Sequence, residues 1–188
     1  VLFRSPASCV IGFAGRFSVD GAPVAADGLG SMAAAAGGRA KAGAVRVLGA
    51  CGITTADARV RDASAVSHDL LAATARCLVA FDGRLDNRDE LSAACGVVGE
   101  PPSDATLVLS AYDRFGADFA SQLNGDFAVA LYDASSERLF LARDVMSARD
   151  LFYTRTARAV LFASKIKPLL ADPDVSVVPD EEDRKSTR

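Results

Sequence analysis

The sequence has no tryptophan, a single histidine (His68) and four cysteines among its 188 residues. A Ser-His-Asp triad would therefore rest on one residue in a polar stretch, and a solvated loop histidine is the better account. Cys9, Cys51, Cys77 and Cys95 share no CxxC spacing, which speaks against zinc. With no export signal they read as reduced thiols of a cytoplasmic protein. Long apolar runs are also lacking: Cys77 to Phe81 is typical, far short of a membrane span. Nor is there an excess of positive charge. The net charge is −3 and no Lys/Arg stripe stands out, so nucleic acid and membrane surfaces are not expected partners. What remains is ordinary for a soluble globular protein, with 50% apolar and 24% charged residues. The length suits one well-buried domain, or one domain and a tail.

The ends read differently from the middle. The chain starts at Val1 rather than Met and closes on an abrupt charged run. Val1-Leu2-Phe3-Arg4-Ser5 can be encoded as GTG CTC TTC CGA TCT. Its reverse complement, read from the second base, encodes Asp-Arg-Lys-Ser and the start of a Thr codon, which is what stands at Asp183 to Thr187. Residues 1–5 and 183–188 are therefore expected to be adapter-derived, with a domain at 10–178 and a gene that continues past Asp180. GTG can also initiate, so Val10 is a candidate native first residue, read as Met.

Between these ends the patterning predicts many short strands and few helices. Residues 10–18 are apolar and read as a buried strand ending at Asp20-Gly21. An Ala-rich stretch, 27–37, is expected to be helical, and short strands are expected at Val45–Leu48 and Gly52–Thr54. Leu78–Phe81 reads as a core strand closed by a tight turn at Asp82-Gly83, followed by a helix over Asn87–Cys95 with Asp86 as its cap. Ser103 is expected to cap a helix carrying Leu107, Ala111 and Phe115 on one face. Phe127, Val129 and Leu131 alternate with Ala128, Ala130 and Tyr132, the period of a strand buried on both faces. A turn at Asp133–Glu137 then returns through Arg138–Arg143, so this hairpin is expected to be central, with Phe127, Leu131 and Leu141 buried. Strands at Leu151–Thr154 and Val160–Ala163 and a helix at Lys165–Ala171 complete the pattern. Strands joined by turns imply antiparallel sheets with helices on their outer faces, an α+β layered sandwich.

Several segments are specific. LVAFDGRLDNRDEL (78–91) resembles the LVFNGEIYNYREL segment of asparagine synthetases, and DATLVLSAYDRF (104–115) is similar to TDxEVLLxAYEEW. QLNGDFAVALYD (122–133) is similar to RLNGMFAFALWD, and RLFLARDVMSARDLFY (138–153) to RLFLARDRLGIKPLYY. LFASKIKPLLADPDV (161–175) resembles LFASEIKALLADPxV. The matches are collinear and span roughly half of the chain. They resemble the N-terminal class II glutamine amidotransferase domain of the asparagine synthetase family, which includes lasso-peptide cyclases and β-lactam synthetases. The resemblance implies an N-terminal-nucleophile hydrolase-like four-layer fold, with two stacked antiparallel sheets and helices outside. It also implies an N-terminal cysteine that attacks the glutamine amide and passes ammonia to a C-terminal synthetase half. That half would be the partner and would hold ATP and Mg through an SGGLDS loop. No such loop occurs in this sequence, which is expected to carry no cofactor and no metal itself.

The departures from the family fall at the reactive positions. Family members open MCGIAGIF, whereas this chain reads VIGFAGRF from Val10, placing Ile11 at the nucleophile. Cys9 stands two residues early and could act only after cleavage before it. The amide donor of the family's oxyanion hole becomes Asp82 beside Gly83 and Arg84, and a carboxylate has no N–H to give. The RLSI segment, whose Arg holds the substrate carboxylate, best matches Gly52-Ile53-Thr54-Thr55. The HRGPD motif has become Gly38-Arg39-Ala40-Lys41-Ala42. Asp104 matches the carboxylate for the glutamine α-amine, and equally suits an anion at a helix N-terminus. The expectation is a domain kept as scaffold in an asparagine synthase-like amide ligase, with glutamine hydrolysis lost. A lasso-cyclase or β-lactam synthetase parent, or a free-standing binding module, stand as alternatives.

Overall fold

The computed structural model describes residues 12–37, 41–57, 70–99 and 102–176. Among the described residues nine strands form two sheets. The first contains β1 (Gly12–Ser18), β2 (Lys41–Leu48), β3 (Cys51–Asp57), β8 (Phe152–Arg155) and β9 (Ala159–Ala163), in the order β2-β3-β1-β9-β8. The second contains β4 (Leu71–Ala73), β5 (Cys77–Leu85), β6 (Gly125–Asp133) and β7 (Arg138–Arg143), in the order β4-β5-β6-β7. Every pairing is antiparallel. Helices α1 (Gly30–Gly37) and α4 (Ile166–Leu170) cover the first sheet; α2 (Arg88–Ala94) and α3 (Asp104–Phe115) cover the second.

The four layers follow from the period-2 alternation of β5 and β6. Val79, Phe81, Phe127, Val129 and Leu131 point outward and pack on Leu107, Val108, Ala111 and Tyr112 of α3 and Leu91 of α2. Leu78, Ala80, Ala128, Ala130 and Tyr132 point inward and meet Phe13, Cys51, Ile53 and Phe162 of the other sheet. Three alanines on this inner face leave room for the two phenylalanines opposite, so volume is balanced across the interface. Burying each large apolar side chain contributes about 1.5–3 kcal/mol. A third cluster, with Ala14, Leu29, Met32, Leu161 and Leu169, joins the first sheet to α1 and α4. The α3 cap is as expected: the Ser103 hydroxyl accepts from the Thr106 N–H. Among the described residues no helix is long and apolar enough to cross a membrane.

Three expectations need correction. Asp82-Gly83 is not a turn: β5 runs unbroken to Leu85, with Asp82 opposite Ala128 and Gly83 opposite Phe127. Gly83 has φ +143°, and a Cβ there would collide with the Asp126 carbonyl oxygen and come 2.7 Å from Phe127 Cα. Glycine therefore serves a close strand crossing rather than a reversal. Asp86 does not cap α2, because Arg84 Nε donates to its carboxylate at 2.8 Å. Asn87 occupies the cap position without a capping bond, its Oδ1 accepting instead from the Asn124 N–H at 3.0 Å. Leu141 is only half-buried, since β7 is an outer strand of its sheet, whereas Phe127 and Leu131 are buried as expected. Val1–Ile11, Gly38–Ala40, His68 and residues 177–188 lie outside the described residues, so the expectations for Cys9, Ile11, Val10 and both termini do too.

Candidate functional site

The start of β1 and the end of β9 lie side by side at one end of the sandwich. The Phe13 N–H donates to Ser164 Oγ at 3.0 Å, and the Ser164 N–H returns a bond to the Phe13 carbonyl at 2.9 Å. Asp82 comes from the other sheet. As an even-numbered residue of β5 it shares the inner face of Leu78 and Ala80, which aims its carboxylate at this junction. Its charged neighbour is the Arg149 guanidinium at 3.7 Å, and the Ser164 hydroxyl and Lys165 also act on it electrostatically. Asp82 is only 5% exposed. Burial pushes its carboxyl above the usual range, while Arg149, Ser164 and Lys165 pull it back down.

Arg149 reaches Asp82 because the segment after β7 is pinned. The Asp144 carboxylate accepts from the Ala148 N–H at 2.9 Å and the Arg149 N–H at 3.2 Å, and its own N–H donates to the Phe127 carbonyl. These amides hold the Asp144 carboxyl below its ordinary range. The structure thus gathers Gly12, Asp82, Arg149, Ser164 and Lys165. Of these, only Asp82 was singled out from sequence. The signals for the others were present in the segments 138–153 and 161–175, where Lys165 replaces the Glu of LFASEIK.

Other candidates lie elsewhere. Gly52 sits on the opposite face of its sheet, paired with Arg16 and Val47, under the helical layer. A Cβ there would come 2.6 Å from Leu29 Cδ1 and 3.0 Å from Val24 Cγ1, so the space an arginine would need is filled. Ile53 is buried between the sheets; Thr54 is buried, and Thr55 sits opposite Phe13. Lys41 and Ala42 open β2. Arg84 is exposed and paired with Asp86. Asp104 is 8% exposed at the first position of α3, where one oxygen accepts from the Leu85 N–H at 3.3 Å and the other pairs with Arg88. Arg88 also donates to the Pro102 carbonyl at 2.7 Å. Both Asp104 oxygens are thus engaged within the chain, tying β5, α2 and α3 together.

Two stacked antiparallel sheets between helical layers define the α+β amidotransferase fold of the N-terminal-nucleophile type. Two solved structures share it: the glutamine phosphoribosylpyrophosphate amidotransferase of B. subtilis complexed with ADP and GMP, and an allosteric regulatory enzyme of purine biosynthesis. Their TM-scores are 0.58 and 0.59 at 19% and 16% identity, each over 85% of this chain and 43% of that one. A family profile described as a glutamine amidotransferase domain matches residues 58–171. The chain belongs to that family. It is related to asparagine synthetases: it is 35% identical to asparagine synthetase [glutamine-hydrolyzing] 3 of Bacillus subtilis over 100 residues, 52% of this chain and 16% of the relative. An amidase, chyE, of Penicillium rubens is 38% identical over 84 residues, 45% of this chain and 12% of that protein. The chain therefore spans only a small part of the relatives it matches.

Proposed function

We propose that this is the glutaminase-type domain of an asparagine synthase-like, ATP-dependent amide ligase, retained as scaffold after losing glutamine hydrolysis. The observation that carries the reading is Asp82. It is a buried carboxylate at the strand position where the family resemblance calls for an amide donor to a developing oxyanion. Loss of one such donor costs on the order of 10²–10³ in rate, and a charge of the wrong sign adds to that. Two further features support the reading: the space beside Gly52 is closed by Leu29 and Val24, and the sequence has isoleucine at position 11.

The partner is the synthetase half, which would supply ATP and Mg; among the described residues no cluster of His, Cys, Asp or Glu could hold a metal. Val145, Met146, Phe152, Tyr153, Ile166 and Leu170 are exposed apolar side chains on the segment after β7, on β8 and on α4. They offer a surface on which such a half could dock. A parent that takes its amine from the substrate itself, as in lasso-peptide cyclization or β-lactam closure, fits the same observations. A free-standing binding module is the reading from a different class, and a stop codon soon after Asp180 in the intact gene would favour it.

The test is ammonia release from glutamine by protein expressed from the intact gene, with Ile11→Cys and Ile11→Cys/Asp82→Asn variants. The wild type and the single variant are expected to be silent, since donors matter little without a thiolate, and a thiolate little beside an opposing charge. Turnover by the wild type would refute the scaffold reading. Rescue by Ile11→Cys alone would show that Asp82 is no obstacle.

A further inference from the structure

β7 and β8 are outer strands of different sheets, and residues 144–151 cross from one to the other. Leu139 and Leu141 of β7 enter the same inner cluster as Leu151, so both strands line one edge of the sandwich. α4 packs beside β8 and extends that edge. Val145 is 98% exposed and Met146 85%, and Tyr153 on β8 and Ile166 and Leu170 on α4 are exposed as well. Between Arg143 and Lys167 the chain carries six Lys/Arg against two Asp, in a protein whose net charge is −3. Of those two carboxylates, Asp144 is turned onto the Ala148 and Arg149 amides, which leaves Asp150 exposed. Arg143, Arg155 and Lys167 are exposed and form no ion pair among the described residues.

Apolar side chains flanked by unpaired cations have the anatomy of one half of an interface whose other half carries carboxylates. We propose, resting on the reading of the parent as a two-part ligase, that its synthetase half docks on this edge through an acidic face with an apolar centre. Asp150 favours a protein over an anionic bilayer, since a protein can set a donor against it and a bilayer only repels it. Residues 171–176 follow α4, so a half that continues the chain is tethered in the layer next to this edge and meets it at high effective concentration. The apolar contacts supply affinity, and the cations fix orientation.

The full-length product of the intact gene tests this by limited digestion with thermolysin, because cleavage between the halves follows the undocked fraction. The size of that product reads the parent independently. A product that ends with this domain refutes the two-part ligase and the docking together, whereas a two-part product that fails the following arms overturns the docking alone. Wild-type cleavage should accelerate from about 0.05 M to about 0.5 M salt, as screening weakens the contact. Arg155→Glu/Lys167→Glu should be cut roughly tenfold faster at low salt and lose that salt dependence. Arg155→Lys/Lys167→Arg keeps the charge and should behave as wild type. So should Arg46→Glu, an exposed reversal on β2 at the opposite edge of its sheet. Salt-insensitive cleavage of the wild type, an unmoved double reversal, or an equal effect of Arg46→Glu would each overturn the docking. Binding of the wild type to vesicles of equal parts anionic and zwitterionic lipid, lost in the double reversal, would assign the edge to a membrane surface and overturn it too.

Discussion

Asp133, at the end of the sandwich away from Asp82, gives the fold its most concentrated polar network. Its carboxylate accepts from Arg76 Nε at 3.1 Å and Arg76 Nη2 at 2.8 Å, and from the Tyr112 hydroxyl at 2.8 Å. The Ser135 N–H and hydroxyl add bonds at 2.9 and 2.6 Å. Asp133→Asn keeps the shape but replaces one acceptor oxygen with an NH₂ facing donors. If that nitrogen takes the Oδ2 position, the Tyr112 and Arg76 Nη2 bonds are lost. The buried Tyr112 bond to a charged acceptor is worth about 1.5–3 kcal/mol. Arg76 is half-exposed, with 50% of its side chain accessible, so its share is small. That loss corresponds to a Tm drop of roughly 3–12 °C at neutral pH for a chain of this size. The Arg76 bonds first, then those of Ser135 and Tyr112, hold the Asp133 carboxyl well below its ordinary range. Its contribution is therefore complete above the unfolded carboxylate pKa of about 3.9 and fades as pH falls below that value. The gap between wild type and variant should narrow below about pH 4. Tm values within 1 °C of each other at pH 7, or a gap that widens in acid, would refute the reasoning.

Gly52→Arg, meant to restore the substrate clamp, should instead cost about 1–3 kcal/mol of overpacking against Leu29 and Val24, with more for the buried charge. Calorimetry should show no gain in glutamine binding; a stable variant that binds glutamine would place the clamp where the structure does not. Thr54 Oγ1 is buried without a hydrogen-bond partner among the described residues, so Thr54→Val should be neutral or raise Tm by a few degrees in a thermal scan. A clear loss would mean that the hydroxyl is satisfied after all.

The two-faced strands were legible because their pattern answers to a single physical rule. Residues 127–132 carry packing on both sides, so every position is apolar and alternation of size marks which core each serves. Ser103 was legible as a cap because its role is local. Asp82-Gly83 was misread for the opposite reason. Asp-Gly is a turn signal when only neighbours in sequence are weighed. Here the glycine answers to the Asp126 carbonyl of another strand, a contact no local pattern displays. Asp86 failed likewise, since Arg84 competes for its carboxylate. The candidate site was legible in part: Asp82 stood out because its residue type contradicts the chemistry. Arg149, Ser164 and Lys165 did not, because their meaning depends on a junction between two sheets. Gly52 was placed by segment matching, and strand alternation sets it opposite Arg16, on the face covered by Leu29 and Val24.

The same geometry explains how a pocket can change while the scaffold stays. In β5 and β6 each large apolar side chain belongs to one of two cores, and truncating one costs about 2–5 kcal/mol. Such positions tolerate little. Arg84 is exposed and pairs with an exposed Asp86, so a change of charge there is screened by water. That position can change with little cost to folding. Asp82 stands between these regimes, buried like the core yet charged like the rim. Folding opposes an ionised carboxylate at such a buried position unless a counter-charge stands near it. The Arg149 guanidinium 3.7 Å from Asp82 offsets part of that cost.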